Sequence, residues 1–160
     1  MNLLPKIEQL SEKKLIGLQE TMSLTNNTTG ALWRRFGPRI KEIGHRVSED
    51  KFSLQVYGSG YYQNFDPASP FVKWAAVEVN TFEELPAGLE TFLLPAGLYA
   101  VFNYRGSSAD PSVFTYIFRE WLPKSCYRIA DRPHFEVLGA NYRNNDPESE
   151  EEIWVPIVEG

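Results

Sequence analysis

The stretch "LETFLLPAGLYAVFNYRG", residues 89–106, decides how the chain folds. It reads as a linking strand, a turn at Pro95-Ala96-Gly97, and a fresh opening strand that ends near Arg105. A strand that opens anew past the middle of the chain implies that one pattern is used twice.

Upstream of that point, "KLIGLQETMSL" (14–24) has the aliphatic content of a strand, and "TNNTTG" after it offers helix caps at Asn27, Thr28 and Thr29. In "GALWRRFGPRIKEIG" (30–44), Leu32, Phe36, Ile40 and Ile43 recur at helical steps, with a kink expected at Gly37-Pro38 and a stop at Gly44. "KFSLQVYG" (51–58) and "FVKWAAVEVN" (71–80) read as two strands joined by the polar, Gly- and Pro-containing segment 59–70. The first half is therefore β-α-β-β.

Downstream, Asp110 and Pro111 are suited to be the N-cap and first residue of a second helix. Phe114, Ile117, Phe118, Trp121 and Leu122 follow at i, i+3, i+4, i+7 and i+8, with Pro123 near the end. "HFEVLG" (134–139) and "EEIWVPIV" (151–158) complete a second β-α-β-β unit. The expectation is one α+β domain over 1–160, with repeats at about 13–80 and 89–158. Its sheet is antiparallel and pseudo-twofold, both helices lie on one face, and a groove between the halves is the ligand site.

The 160 residues are 42% hydrophobic, enough for one continuous core. Sixteen basic against 21 acidic residues give a net charge of −5, and the one basic cluster, Arg34, Arg35, Arg39 and Lys41, falls in the first helix. Direct nucleic-acid binding is not expected. A single cysteine, Cys126, allows no internal disulfide and reads as a packing residue, so the cytosol is the expected compartment. No signal peptide or membrane span is expected, since Pro95 and Gly97 interrupt the longest apolar stretch. His45 and His134 stand outside any catalytic or ligand motif, and no zinc pattern or phosphate-binding loop occurs. No cofactor is expected, haem included.

Along the last strand Ile153, Val155 and Ile157 point one way, into the core under the helices, while Glu152, Trp154 and Pro156 point the other. This reading sets Glu152 and Trp154 on the groove side, with Glu150 and Glu151 as a solvated approach. Glu136 separates in the same way from Phe135 and Val137, so two carboxylates are expected to face one cavity. Aromatic residues are plentiful, and aromatic faces attract cations. A cage for a flat or cationic organic molecule is the chemistry this composition favours.

The segments "YYQNFDPASPFVKWAAVEV", "LPAGLYAVFNYRG" and "FREWLPKSCYRIADRPHFEVLGANYRNNDPESEEEIWVPI" together resemble the GyrI-like small-molecule-binding domain. That is also the effector-binding domain of AraC-type and multidrug-responsive bacterial regulators. The resemblance runs from about Lys14 to Val158 and implies two β-α-β-β repeats across a central groove. It implies binding of hydrophobic, often cationic compounds, with Glu136 as the acidic residue, Glu152 as the second choice, and Tyr57, Tyr104, Trp121 and Trp154 as pocket-lining positions. Only about a dozen residues precede the first strand, so the expected form is the stand-alone one, without a DNA-binding domain. Other stand-alone members resemble hydrolases of reactive cyclopropane-containing compounds. That alternative would use Glu136 to position or deprotonate water and Tyr104 to donate to the leaving group. A third reading is a gyrase-inhibitor-like module whose partner is a protein.

Overall fold

The computed structural model describes residues 3–160, so the first two residues of the expected 1–160 domain lie outside it. The chain runs β1(Lys6–Leu10), β2(Lys13–Met22), α1(Thr29–Phe36), β3(Lys51–Tyr57), β4(Phe71–Val79), β5(Glu90–Leu94), β6(Gly97–Arg105), α2(Ser112–Tyr116), α3(Leu122–Lys124), β7(Tyr127–Ile129), β8(His134–Leu138) and β9(Glu150–Glu159). A 3-10 turn, Gly37–Glu42, continues α1. The switch falls at Gly37-Pro38, where proline has no N–H to give to the α-helical ladder. A π turn, Ile117–Trp121, joins α2 to α3. At the start of α2, Pro111 takes the cap position expected of Asp110, whose carboxylate accepts from the Ser112 N–H at 2.9 Å.

All strand pairs are antiparallel, in the order β1-β6-β9-β8-β3-β4-β2-β5, with β7 added on β9. The repeats are visible in that order: β2-β4-β3 is mirrored by β6-β9-β8, and the halves join where β3 pairs β8. Two further strands are exchanged between the halves. β1 leads into β2 yet pairs β6, and β5 leads into β6 yet pairs β2. β1 has no counterpart in the sequence reading because four of its five residues are exposed, which leaves no buried alternation to detect.

The exchange rolls the sheet. Only Ser11 and Glu12 separate β1 from β2, and only Pro95 and Ala96 separate β5 from β6. Three Cα steps span at most about 11 Å, so the two margins of the sheet meet at these crossings. The inner face is filled by Leu15, Leu54, Trp74, Leu94, Tyr99 and Phe135. Alternate residues form the outer face, which both helices cover. Leu32 and Phe36 of α1 pack on Ile16, Ala75 and Val77, and Val113 and Tyr116 of α2, with Ile117, pack on Ala100, Phe102, Ile153 and Val155. Between those two apolar flanks, the outer face of β3 and β8 is left as a strip.

Candidate functional site

The strip is polar. β3 contributes Ser53, Gln55 and Tyr57, and β8 contributes His134, Glu136 and Leu138, with Ser53 opposite Glu136 and Gln55 opposite His134. β4 adds Lys73, opposite Gln55. β9 adds Glu151, two residues along from Ile153, which faces Glu136. Ser53, Gln55, Lys73 and His134 are buried, and Glu136, Glu151 and Tyr57 are partly so. Polar groups withdrawn from water need partners, and these partners are largely one another.

With its amide oriented to satisfy both neighbours, Gln55 donates to Glu136 Oε2 at 3.1 Å and its carbonyl accepts from Lys73 Nζ. Burial raises the pKa of the Glu136 carboxyl, against the pull of Lys73 and the Gln55 donor. Burial lowers that of the Lys73 ammonium, against the two carboxylates Glu136 and Glu151. Glu151 is pushed up to about 7, first by burial and then by Glu136, with Lys73 opposing. His134 is lowered to about 3 by burial and is neutral at ordinary pH.

Aromatic rings wall one end. Tyr57 lies 4.4 Å from Tyr61, 5.3 Å from Tyr62 and 5.0 Å from His134, centroid to centroid. The segment 58–70 carries Tyr62 across from the first repeat to stack on Phe118 of the π turn at 5.5 Å. Tyr62 thereby roofs the strip beside His134, 5.5 Å away. A cavity of about 550 Å³ opens beyond it, lined by Tyr57, Tyr62, Leu122, Tyr127, Arg132 and His134 among others. A second cavity of about 440 Å³ lies at the opposite end, with Tyr104, Val137, Gly139 and Glu151 in its wall. Glu136 lines neither and stands between them on β8.

Of the residues singled out from the sequence, Glu136 and Tyr57 come together on this strip, and burial with Tyr62 and Glu136 nearby pushes the Tyr57 hydroxyl pKa well up. Tyr104 shares the face and sits opposite Glu151 in the β6–β9 register, but its hydroxyl donates to the Ser107 carbonyl at 3.1 Å. Trp121 belongs to the packing of the second helical flank, edge-on to Phe102 at 5.2 Å. Glu152 and Trp154 alternate away from Ile153 as expected, yet the side is the reverse of the expected one. The helices flank the face that carries Glu136, so Glu152 and Trp154 point away from that strip, although Glu152 shares the wall of the second cavity with Glu151. Trp154 stacks on Phe135 at 5.2 Å against the inner cluster, and its indole N–H donates to Glu152 Oε1 at 3.1 Å.

The sequence reading passes over Lys73 and Gln55 and counts Tyr62 only as one of many aromatic residues, while Glu151, expected as a solvated approach, is instead partly buried on the strip. Lys73 had a legible signal as the lone cation within the apolar run of "FVKWAAVEV". Glu151 shares its parity with Ile153 and Val155, which already placed it on the helix side. Among the described residues no group of three His, Cys, Asp or Glu side chains is placed to hold a metal, and no helix is long and apolar enough to cross a membrane.

Comparison with known proteins matches residues 4–158 to the GyrI-like small molecule binding domain. The transcriptional regulator BrlR of Pseudomonas aeruginosa is 27% identical over 158 residues, which is 98% of this chain and 56% of that protein. The chain thus spans about half the length of this curated relative. Among solved structures, SAV2435 bound to tetraphenylphosphonium matches with a TM-score of 0.69 and 18% identity, covering 96% of this chain and 93% of that one. The EcmrR C-terminal domain matches with a TM-score of 0.71 and 10% identity over the whole of both chains.

Proposed function

The chain belongs to the GyrI-like family of small-molecule-binding domains, and from that premise we propose that its ligands are hydrophobic organic cations held between the two helical flanks, over Glu136. The observation that carries this reading is a pair of partly buried carboxylates on the strip that the Tyr57–Tyr62 wall closes at one end: among the described residues Glu136 takes its hydrogen bond from an amide, Gln55, and Glu151 takes none from a side chain. A buried carboxylate favours a cation, and aromatic faces add roughly 0.5 to 2 kcal/mol per contact. The tetraphenylphosphonium held by SAV2435, a chain of the same fold, is a ligand of this class.

Tyr62 and the segment 58–70 would have to shift for a bulky ligand to reach Glu136 from the larger cavity. The ligand's rings then take the place of Tyr62 on Phe118 and His134, and the shifted Tyr62 ring closes against the cation from the loop side. Release to solvent reverses that exchange, with no bond made or broken in the ligand.

Calorimetric titration with tetraphenylphosphonium and with uncharged triphenylphosphine oxide tests the reading, on wild type and Glu136→Gln. Cation preference in wild type, lost in the variant, is the expected result. Equal binding of the two compounds by wild type, or their conversion to product, overturns it.

A further inference from the structure

Lys73 is the one buried lysine among the described residues. It makes no direct ion pair there; its link to Glu136 runs through the Gln55 amide. Glu151, in contrast, has no side-chain hydrogen bond or ion pair among the described residues, although it is partly buried and faces the same strip. A withdrawn charge without a partner is costly, and a withdrawn charge with one is far less so. The two carboxylates therefore differ in what they offer a ligand.

The charge count of the strip is short. Glu136 comes from β8, Lys73 from β4 and Glu151 from β9; Tyr104 of β6 and Tyr142 of the segment 139–149 lie beside Glu151, and Asp50, Arg105, Glu150 and Glu152 share the wall of the second cavity with it. Both tyrosines and His134 are uncharged near neutral pH, the tyrosine hydroxyls being raised and the imidazole lowered by burial. On the strip itself two carboxylates less one ammonium leave a single negative charge, and the other charged groups of the second cavity, Asp50, Arg105, Glu150 and Glu152, are exposed or partly so, where solvent screening weakens them.

Resting on the reading above, we infer that Lys73 is the groove's built-in counter-cation for Glu136, so that Glu151 supplies the charge offered to the ligand and the site accepts one positive charge rather than two. Glu136 and Lys73 act as one neutral, hydrogen-bonded unit. Removing Glu136 alone strands Lys73 and repels a cation. Removing Lys73 alone doubles the negative charge, and removing both leaves Glu151 to do its work.

The test titrates tetraphenylphosphonium, a bridged bis(triphenylphosphonium) dication and uncharged triphenylphosphine oxide at pH 8, against wild type, Glu151→Gln, Lys73→Met and the double variant Glu136→Gln/Lys73→Met. Glu151→Gln is expected to weaken monocation binding by about tenfold or more with the oxide unchanged, and Lys73→Met to strengthen it by about tenfold and to admit the dication. The double variant buries neither charge, so it remains informative if Lys73→Met does not fold. It is expected to bind the monocation within about threefold of wild type. Wild-type cation preference together with unchanged binding in Glu151→Gln, or with a double variant as weak as Glu136→Gln alone, overturns the inference and leaves the proposed ligand class standing. Absence of cation preference in wild type overturns both.

Discussion

Gln55 and Lys73 face each other in the β3–β4 register, and the Gln55 carbonyl accepts from the Lys73 ammonium while its amide N–H donates to Glu136. One side chain thus satisfies a buried cation and a partly buried anion. Gln55→Leu keeps the volume and removes both bonds. Each buried group left unsatisfied costs about 1–3 kcal/mol, more where it is charged. The expected loss is about 2–5 kcal/mol, read as a lower urea midpoint with an unchanged slope.

Glu151 makes a pH-dependent contribution to stability opposite in sign to that of His134, whose lowered imidazole favours the folded state as pH rises between about 3 and 6.5. Its carboxyl, pushed up to about 7 by burial and by Glu136, binds its proton more tightly folded than unfolded. Between the ordinary carboxylate range and about 7, the folded state therefore holds more protons than the unfolded state, and stability falls as pH rises. The contribution is complete below about pH 4.5 and lost above about 7. Glu151→Gln removes this slope, so thermal unfolding of wild type and variant should agree near pH 4.5 and separate in the variant's favour by pH 8.

The repeat was legible because its signals are local: the Pro-Gly break after Leu94, the apolar stripe of the second helical run, and the strands on either side of it. The roll of the sheet was not. It depends on β1 and β5 pairing across the repeats, and β1 is a short, mostly exposed edge with nothing in its own composition to name its partner. The site was half legible for a related reason. Period-two alternation separates Glu152 and Trp154 from Ile153 and Val155, but which set shares a face with Glu136 is decided by the β8–β9 register, where Glu136 lies opposite Ile153. A shift of one residue in that register would exchange the two carboxylates.

That register makes a prediction about Glu152. Its carboxylate accepts from the Trp154 indole on the face away from the helices, with the sheet between it and Glu136. Glu152→Gln should weaken tetraphenylphosphonium less than Glu151→Gln does, because its carboxylate is turned to the other face and held by the Trp154 indole. Glu136→Gln, measured in the same titration, should abolish the preference for cation over triphenylphosphine oxide. A large effect at Glu152 would place the ligand on the inner face.

The inner face is the better place to look for stability. Leu54 is fully buried there, in the cluster with Trp74, Tyr99 and Phe135, and its neighbours Ser53 and Gln55 lie on the groove side. Leu54→Ala should cost about 2–5 kcal/mol, the sum of lost transfer energy and the cavity left behind.

Tyr62 should behave in the opposite way. It is 36% exposed and sits in a loop outside the core clusters, so its removal deletes ring contacts but leaves the sheet core intact. What it does supply is a ring over His134, edge-on to Tyr57 and stacked on Phe118, at the mouth of the larger cavity. Tyr62→Ala should lower the urea midpoint less than Leu54→Ala does, while weakening tetraphenylphosphonium by about 2- to 30-fold, the loss of one aromatic contact to a cation. Tyr62→Phe separates the ring from the hydroxyl. If the ring is what holds the cation, the phenylalanine variant binds as wild type does; if the hydroxyl, which lies beside Tyr57, is required, it binds no better than the alanine variant.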